Sequence, residues 1–108
     1  VGLTEAAAMR AGLTGRTAEV GLDSVSGAGI HSDGPAGRAK LVIDRDREIV
    51  VGATFVGQDV SELLHAATIA VVGEVPVDRL WHAVPAFPSV SEIWLRLLEA
   101  LGRPEATA

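Results

Sequence analysis

The groups in this 108-residue chain that could move a proton, hold a metal or attack a carbonyl are few and scattered. His31 and Asp33 stand in a glycine-rich stretch, His65 in an apolar helical pattern, and His82 shortly before Pro85. No two histidines have the i,i+4 spacing of a helical metal site, so no metal ligand is assigned. His65 reads as a helix histidine with local hydrogen bonds. Ser89 and Ser91 have no histidine at a spacing that would activate them, which argues against a serine nucleophile. Cysteine is absent, and that excludes a disulfide scaffold, a thiolate metal site or a cysteine nucleophile within this chain. Gly27-Ala28-Gly29 begins like a dinucleotide fingerprint, but Ser32 takes the third glycine position and no helix pattern follows. No cofactor-binding residue is therefore assigned. Trp81 and Trp94 read as core or interface anchors, with an aromatic ligand platform as the alternative.

The elements that must position these groups are legible in the hydrophobic pattern. Thr4 is a good N-cap and Glu5 adds negative charge at the positive end of a short helix that Gly12 closes. Thr17 to Asp23 alternates, with Ala18, Val20 and Leu22 on one face, and predicts a half-buried strand. Ser24 to Gly37 is a long loop, of the kind that is functional or mobile in a small domain. Ala39, Leu41 and Ile43 alternate within Arg38–Asp44. Ile49, Val51, Ala53 and Phe55 alternate within Glu48–Val56. With Arg45-Asp46-Arg47 as the turn, the two segments predict an antiparallel hairpin in which Gly52 and Gly57 mark a bulge and a strand end.

Asp59, with Glu62 in capping-box spacing, predicts the start of a helix running to Gly73. Val60, Leu63, Leu64, Ala67 and Val71 form one stripe of it, while Ala66, Ile69, Ala70 and Val72 fill much of the rest. A helix apolar nearly all round must be covered on both sides, by the sheet on one and by a second molecule on the other. Pro76 and Pro85 bracket a short helical stretch, Val77 to Ala83. Ser89 and Glu92 repeat the capping box before a helix to Leu101, whose apolar positions are Val90, Ile93, Trp94, Leu97, Leu98 and Leu101. Glu92 and Arg96 stand at i,i+4 on its polar stripe. The order predicts an α+β domain with helices packed on an antiparallel sheet.

Size and charge narrow the partners. One domain fits in 108 residues and two do not. With 48% hydrophobic and 21% charged residues the composition is that of a folded globular chain. A net charge of −5 argues against nucleic acid, which needs a basic face. No apolar run approaches a membrane span. The chain begins at Val1 with no signal-like segment. It reads as a piece of something longer or a processed product, and a cytoplasmic setting is expected.

Four segments, in order, carry a family resemblance: Val1-Gly2-Leu3-Thr4-Glu5; Gly37-Arg38-Ala39-Lys40-Leu41-Val42-Ile43-Asp44; Ile49 to Gly57 followed by Asp59-Val60-Ser61-Glu62-Leu63-Leu64; and Phe87-Pro88-Ser89-Val90-Ser91-Glu92. Together they resemble the C-terminal dimerisation domain of the FAD-dependent pyridine nucleotide-disulfide oxidoreductases, which include dihydrolipoamide dehydrogenase, glutathione reductase and mercuric reductase. The resemblance implies that residues 1–108 form a single dimerisation domain at the C-terminal end of a larger FAD/NAD(P) oxidoreductase. FAD and NAD(P), and any redox cysteine pair, would then belong to the parent's other domains, and this chain alone would catalyse nothing.

The resemblance also assigns residues. The family's disulfide-reducing members carry a histidine immediately before the proline matched by Pro88, and it acts as acid and base on thiols in the partner subunit's active site. The glutamate matched by Glu92 orients it. Here Phe87 stands at the histidine's position, and phenylalanine carries no titratable proton. Glu92 then reads first as the capping-box partner of Ser89. His82 is the one candidate to replace the missing histidine. Leu64, Ala67, Thr68, Val71, Phe87 and Pro88 are the expected homodimer interface. The alternative reading is a free-standing dimeric small-molecule-binding module that uses the Ser24–Gly37 loop and a groove near Phe87.

Overall fold

The computed structural model describes residues 1–21, 37–57, 60–83, 85 and 90–102. In chain order these form helix α1 (Glu5–Arg10), strands β1 (Gly15–Gly21), β2 (Gly37–Asp44) and β3 (Ile49–Gly57), helices α2 (Ser61–Val72) and α3 (Val77–Leu80), a 3₁₀ turn (Val90–Glu92) and helix α4 (Ile93–Leu101). The strands make one antiparallel sheet in the order β1-β2-β3, and the fold is the expected α+β arrangement. Leu22, Asp23, His31, Asp33, most of the Ser24–Gly37 loop, Asp59, Phe87, Pro88 and Ser89 lie outside the described residues.

Local chemistry explains most element ends. The Thr4 hydroxyl accepts the Ala7 N–H at 3.1 Å, as an N-cap should. At the other end of α1, Gly12 takes φ 82° and lets the Leu13 N–H reach back to the Ala8 carbonyl at 3.0 Å. Asp44, itself buried, ends β2 by accepting the Asp46 N–H on its carboxylate (3.1 Å), and its carbonyl accepts the Glu48 N–H (2.7 Å). Glu48 completes the loop at φ 50°. The hairpin loop is thus residues 45–48, one longer than the turn expected from sequence.

The hairpin is bulged. Val42 pairs with Gly52 while Ile43 pairs with Val50, which leaves Val51 as the extra residue. The slip changes which side chains face inward. Val50 and Ala53 join the core, and Val51, expected inside, is only half-buried. Gly52 is required by the strap that crosses it. A Cβ there would stand 1.7 Å from the Leu3 carbonyl oxygen. Residues 1–3 run antiparallel to β3. The Leu3 N–H donates to Val51, the Ala53 N–H to Val1 and the Val1 nitrogen to Ala53, each at 2.9 Å.

The core lies on one side of the sheet. Ala18, Ala39, Leu41, Ile43, Val50 and Ala53 point into it, α2 covers them over β3 with Leu63 and Ala67, and α4 covers β1 and β2 with Ile93, Trp94, Leu97 and Leu98. Phe55 and Trp94 meet at 6.0 Å between ring centroids, tilted by 56°. Each fully buried leucine or isoleucine here contributes about 1.5–3 kcal/mol relative to exposure.

Several boundaries differ from the pattern. β1 starts at Gly15, two residues before the expected Thr17. α2 starts at Ser61, with Val60 at the cap position and no side-chain cap bond, in place of the expected Asp59 start. Gly73 keeps an ordinary right-handed conformation, and Glu74 takes the left-handed position at φ 49° that lets the Val75 N–H bond the Ala70 carbonyl. α3 ends at Leu80 rather than Ala83. Arg96 reaches forward to Glu99 (2.6 Å), where the spacing pairs it with Glu92. Glu92 is 6% exposed, so it leaves the polar stripe and enters the interior.

On the other sheet face α1 lies against β1; Lys40 of β2 reaches Glu5 of α1 at 2.8 Å and ties helix to sheet, while Arg38 of β2 pairs with Glu19 of β1 at 2.6 Å within the sheet. The hydrogen bond that the Lys40 ammonium donates to Glu5, with the nearby charges of Glu5 and Glu19, holds its pKa above the ordinary value against an opposing desolvation.

Candidate functional site

The helix α2 supplies the surface that the chain's own core leaves open. Its apolar composition runs nearly all round, so the sequence alone does not say which side meets the sheet. The structure selects Leu63, Ala67 and Ala70 as the inward side. With 3.6 residues per turn, the opposite stripe is then Ser61, His65, Thr68 and Val72, flanked by Leu64 on one side and Ile69 on the other. Val72 is 78% exposed, Ile69 56% and Leu64 41%. Single exposed apolar residues are ordinary on a protein surface, but several on one helix face mark an interaction site.

A groove of about 380 Å³ continues this face toward α3 and α4. Ala66 and Ile69 of α2 form one wall, Arg79 and Leu80 of α3 another, and Ser91 and Trp94 a third. The Trp94 indole N–H is buried without a hydrogen-bond acceptor among the described residues.

The residues singled out by sequence are dispersed over this region. Leu64 lies on the exposed flank of α2. The Thr68 hydroxyl is turned back to the Leu64 carbonyl at 3.1 Å, and Val71 is half-buried against the core. Ala67 is fully buried in the chain's own core, so it packs inward rather than offering surface to a second molecule. His82 is exposed in the turn after α3, its backbone N–H donating to the Arg79 carbonyl at 3.0 Å. His65 is exposed on the outward stripe. Trp81 packs partly buried against the core and Trp94 within it, as anchors. Ile69 and Val72, the most exposed apolar residues of α2, were only background in the sequence pattern. Subtracting the three sheet-facing positions is the step that brings them out.

Among the described residues no group of three or more histidine, cysteine or acidic side chains is placed to hold a metal. No described helix is long and apolar enough to cross a membrane. The sheet is antiparallel, and the described residues contain no parallel strand–glycine turn–helix unit of the kind that cradles a dinucleotide pyrophosphate.

Comparison with known proteins places this geometry. Residues 1–97 match the family described as pyridine nucleotide-disulphide oxidoreductase, dimerisation domain. A dihydrolipoyl dehydrogenase of Rhizobium etli is 34% identical over 106 residues, 95% of this chain and 21% of that protein. One of Thermus scotoductus is 32% identical over 101 residues, 94% of this chain and 22% of that protein. The chain thus spans about a fifth of the length of the curated relatives it matches. Among solved structures, the HOCl-induced flavoprotein disulfide reductase RclA of Escherichia coli superposes with a TM-score of 0.80 at 23% identity, over 92% of this chain and 22% of that one. Its Cu(II) complex gives 0.83 at 22% identity. At such identities the likeness shows the fold.

Proposed function

Because the chain belongs to the pyridine nucleotide-disulphide oxidoreductase dimerisation-domain family, we propose that it is the C-terminal dimerisation domain of a longer FAD-dependent, NAD(P)-linked oxidoreductase. Two copies join through the outward face of α2, and each lends an edge to the other's active site. The observation that carries this is the exposed apolar face of Leu64, Ile69 and Val72 on a helix whose other side is already buried. A small domain gains by covering such a face, and an isologous contact does so symmetrically.

FAD and NAD(P) belong, in this reading, to other parts of the longer protein and supply its redox chemistry. This chain's contribution is the dimer contact and the segment that includes Phe87 and Glu92. With phenylalanine at the position matched to the family's acid–base histidine, that segment moves no proton. It offers an apolar ring suited to a planar electron acceptor. Glu92, buried beside the C-terminal helix, is a structural member of the segment.

Two variants test the dimer contact by light scattering during size-exclusion chromatography. Val72→Glu places a carboxylate on the outward face of each copy. An unpaired buried charge costs about 3–5 kcal/mol, and the symmetric contact incurs it twice, so the variant should run as a monomer at micromolar concentration. Met9→Glu alters a residue equally exposed on α1, across the sheet, and should remain dimeric. A Val72→Glu protein that stays dimeric would remove α2 from the interface.

A further inference from the structure

We propose that the groove between α2, α3 and α4 binds a small apolar monocarboxylate, with Arg79 on the carboxylate and the hydrocarbon body along Ile69, Leu80 and Trp94. The proposal stands on the groove itself and does not depend on the dimer reading. A volume of about 380 Å³ lies within the range of small-molecule pockets, about 300–1,000 Å³. The walls have the composition of such a pocket. Ala66 and Ile69 of α2, Leu80 of α3 and Trp94 of α4 make them mostly apolar, with few polar groups among them. The Trp94 wall is already in place, because its ring is buried and meets the Phe55 ring at 6.0 Å.

The polar groups of the lining decide the ligand's charge. Among the described residues they are Arg79, Ser91 and Trp94; each can donate a hydrogen bond and none is acidic. Asp78 adjoins Arg79 in sequence, but it is exposed and does not line the groove. Arg16, Arg38, Lys40, Arg47 and Arg96 each pair with a glutamate, whereas Arg79 forms no ion pair with a described residue. The indole N–H of Trp94 is buried with no acceptor among the described residues, and a donor in that position is left at a cost. A groove with an uncompensated cation, spare donors and no acid favours an anion and rejects a cation.

The kind of anion follows from geometry and from the walls. The planar guanidinium presents a fork of donors that matches the two oxygens of a carboxylate. One arginine balances a single negative charge, which favours a carboxylate over a phosphate dianion. The apolar walls then select a carboxylate with a hydrocarbon body, because that body leaves water when it enters the groove.

Octanoate is the probe, titrated into the whole chain and followed by proton–nitrogen NMR. The amides of Ala66 and Ile69 and the indole N–H of Trp94 should move together with one Kd below about 1 mM, while the amide of Met9, across the sheet, stays still. Octanol, which lacks the charge, and octylammonium, which reverses it, should each bind at least about fivefold more weakly. Butyrate, with a shorter chain, should bind at least about tenfold more weakly than octanoate. Arg79→Gln changes an exposed side chain, and the same spectrum reports its fold; it should lose at least about fivefold in octanoate affinity. Arg79→Lys, which keeps the charge, should retain most of that affinity. No movement at the groove positions at about 10 mM octanoate overturns the proposal. So does an Arg79→Gln protein that binds octanoate as the wild type does, or a wild type that takes octanol or octylammonium as tightly as octanoate.

Discussion

Replacing Gly52 by alanine is a sharp perturbation of this fold because the obstacle is backbone, which cannot swing away. The new Cβ would lie 1.7 Å from the Leu3 carbonyl oxygen and 2.7 Å from its carbonyl carbon. Both distances are far inside van der Waals contact, so the strap of residues 1–3 must leave β3. Three hydrogen bonds depart with it: Leu3 to Val51, Ala53 to Val1 and Val1 to Ala53. At about 0.5–1.5 kcal/mol net for each bond, the loss is about 2–4 kcal/mol. Alanine recovers about 0.5–1 kcal/mol over glycine in a strand, which leaves a destabilisation of about 1–3 kcal/mol. Urea unfolding measures the total, and hydrogen exchange at the Leu3 and Ala53 amides locates it. Both amides should lose protection while those of β1, whose ladder to β2 is untouched, keep theirs. The strap meets the sheet at β3, away from the outward face of α2, so the oligomeric state should not change. A Gly52→Ala protein within about 0.5 kcal/mol of wild type, with the Ala53 amide still protected, would refute this account of the strap.

Other expectations follow the same physics. Leu97, fully buried on α4 against the sheet, should cost about 2–5 kcal/mol when changed to alanine and under about 1.5 kcal/mol when changed to methionine, by chemical denaturation. Lys40→Gln should leave the thermal midpoint at neutral pH nearly unchanged, because the Glu5 pair is exposed. The raised pKa of Lys40 means that the small stability the pair contributes is present below the ordinary lysine value of 10.5 and is lost as pH climbs beyond it, so the slight gap between wild type and variant closes in strong base. In the longer oxidoreductase that we propose, dithiol turnover should be slow and planar acceptors favoured. Phe87→His should raise dithiol turnover toward the about 10²–10⁴-fold that general acid–base help supplies, and steady-state rates with lipoamide and with a quinone would decide it.

What the residues disclosed in advance follows from how local each signal is. The Thr4 cap and the Gly12 stop act within a few residues, and the structure keeps both. Period-two alternation found β2 and β3. It could not count the extra residue at Val51, and so it placed Val51 inside where Val50 belongs, although Gly52 did mark the irregularity. Helix α2 shows the opposite limit. An apolar pattern on every side says that two covers are needed and not which side each takes. Ala67 was therefore grouped with Leu64, yet it packs inward, while Ile69 and Val72 carry the exposed face. Glu92 looked like a polar-stripe residue paired with Arg96, because i,i+4 spacing assumes a regular helix. The 3₁₀ turn that precedes α4 rotates it into the interior. The ordered segments from Val1 to Glu92 were more telling than any of these, since four weak signals in one order restrict the fold more than each does alone.

In the dimer that we propose, a second copy covers the outward face of α2. Sedimentation equilibrium of the wild-type chain at micromolar concentration near neutral pH tests that most directly. The expected result is a single species of twice the 11.2 kDa chain mass that dissociates only on strong dilution. A species of 11.2 kDa throughout the concentration range would contradict it.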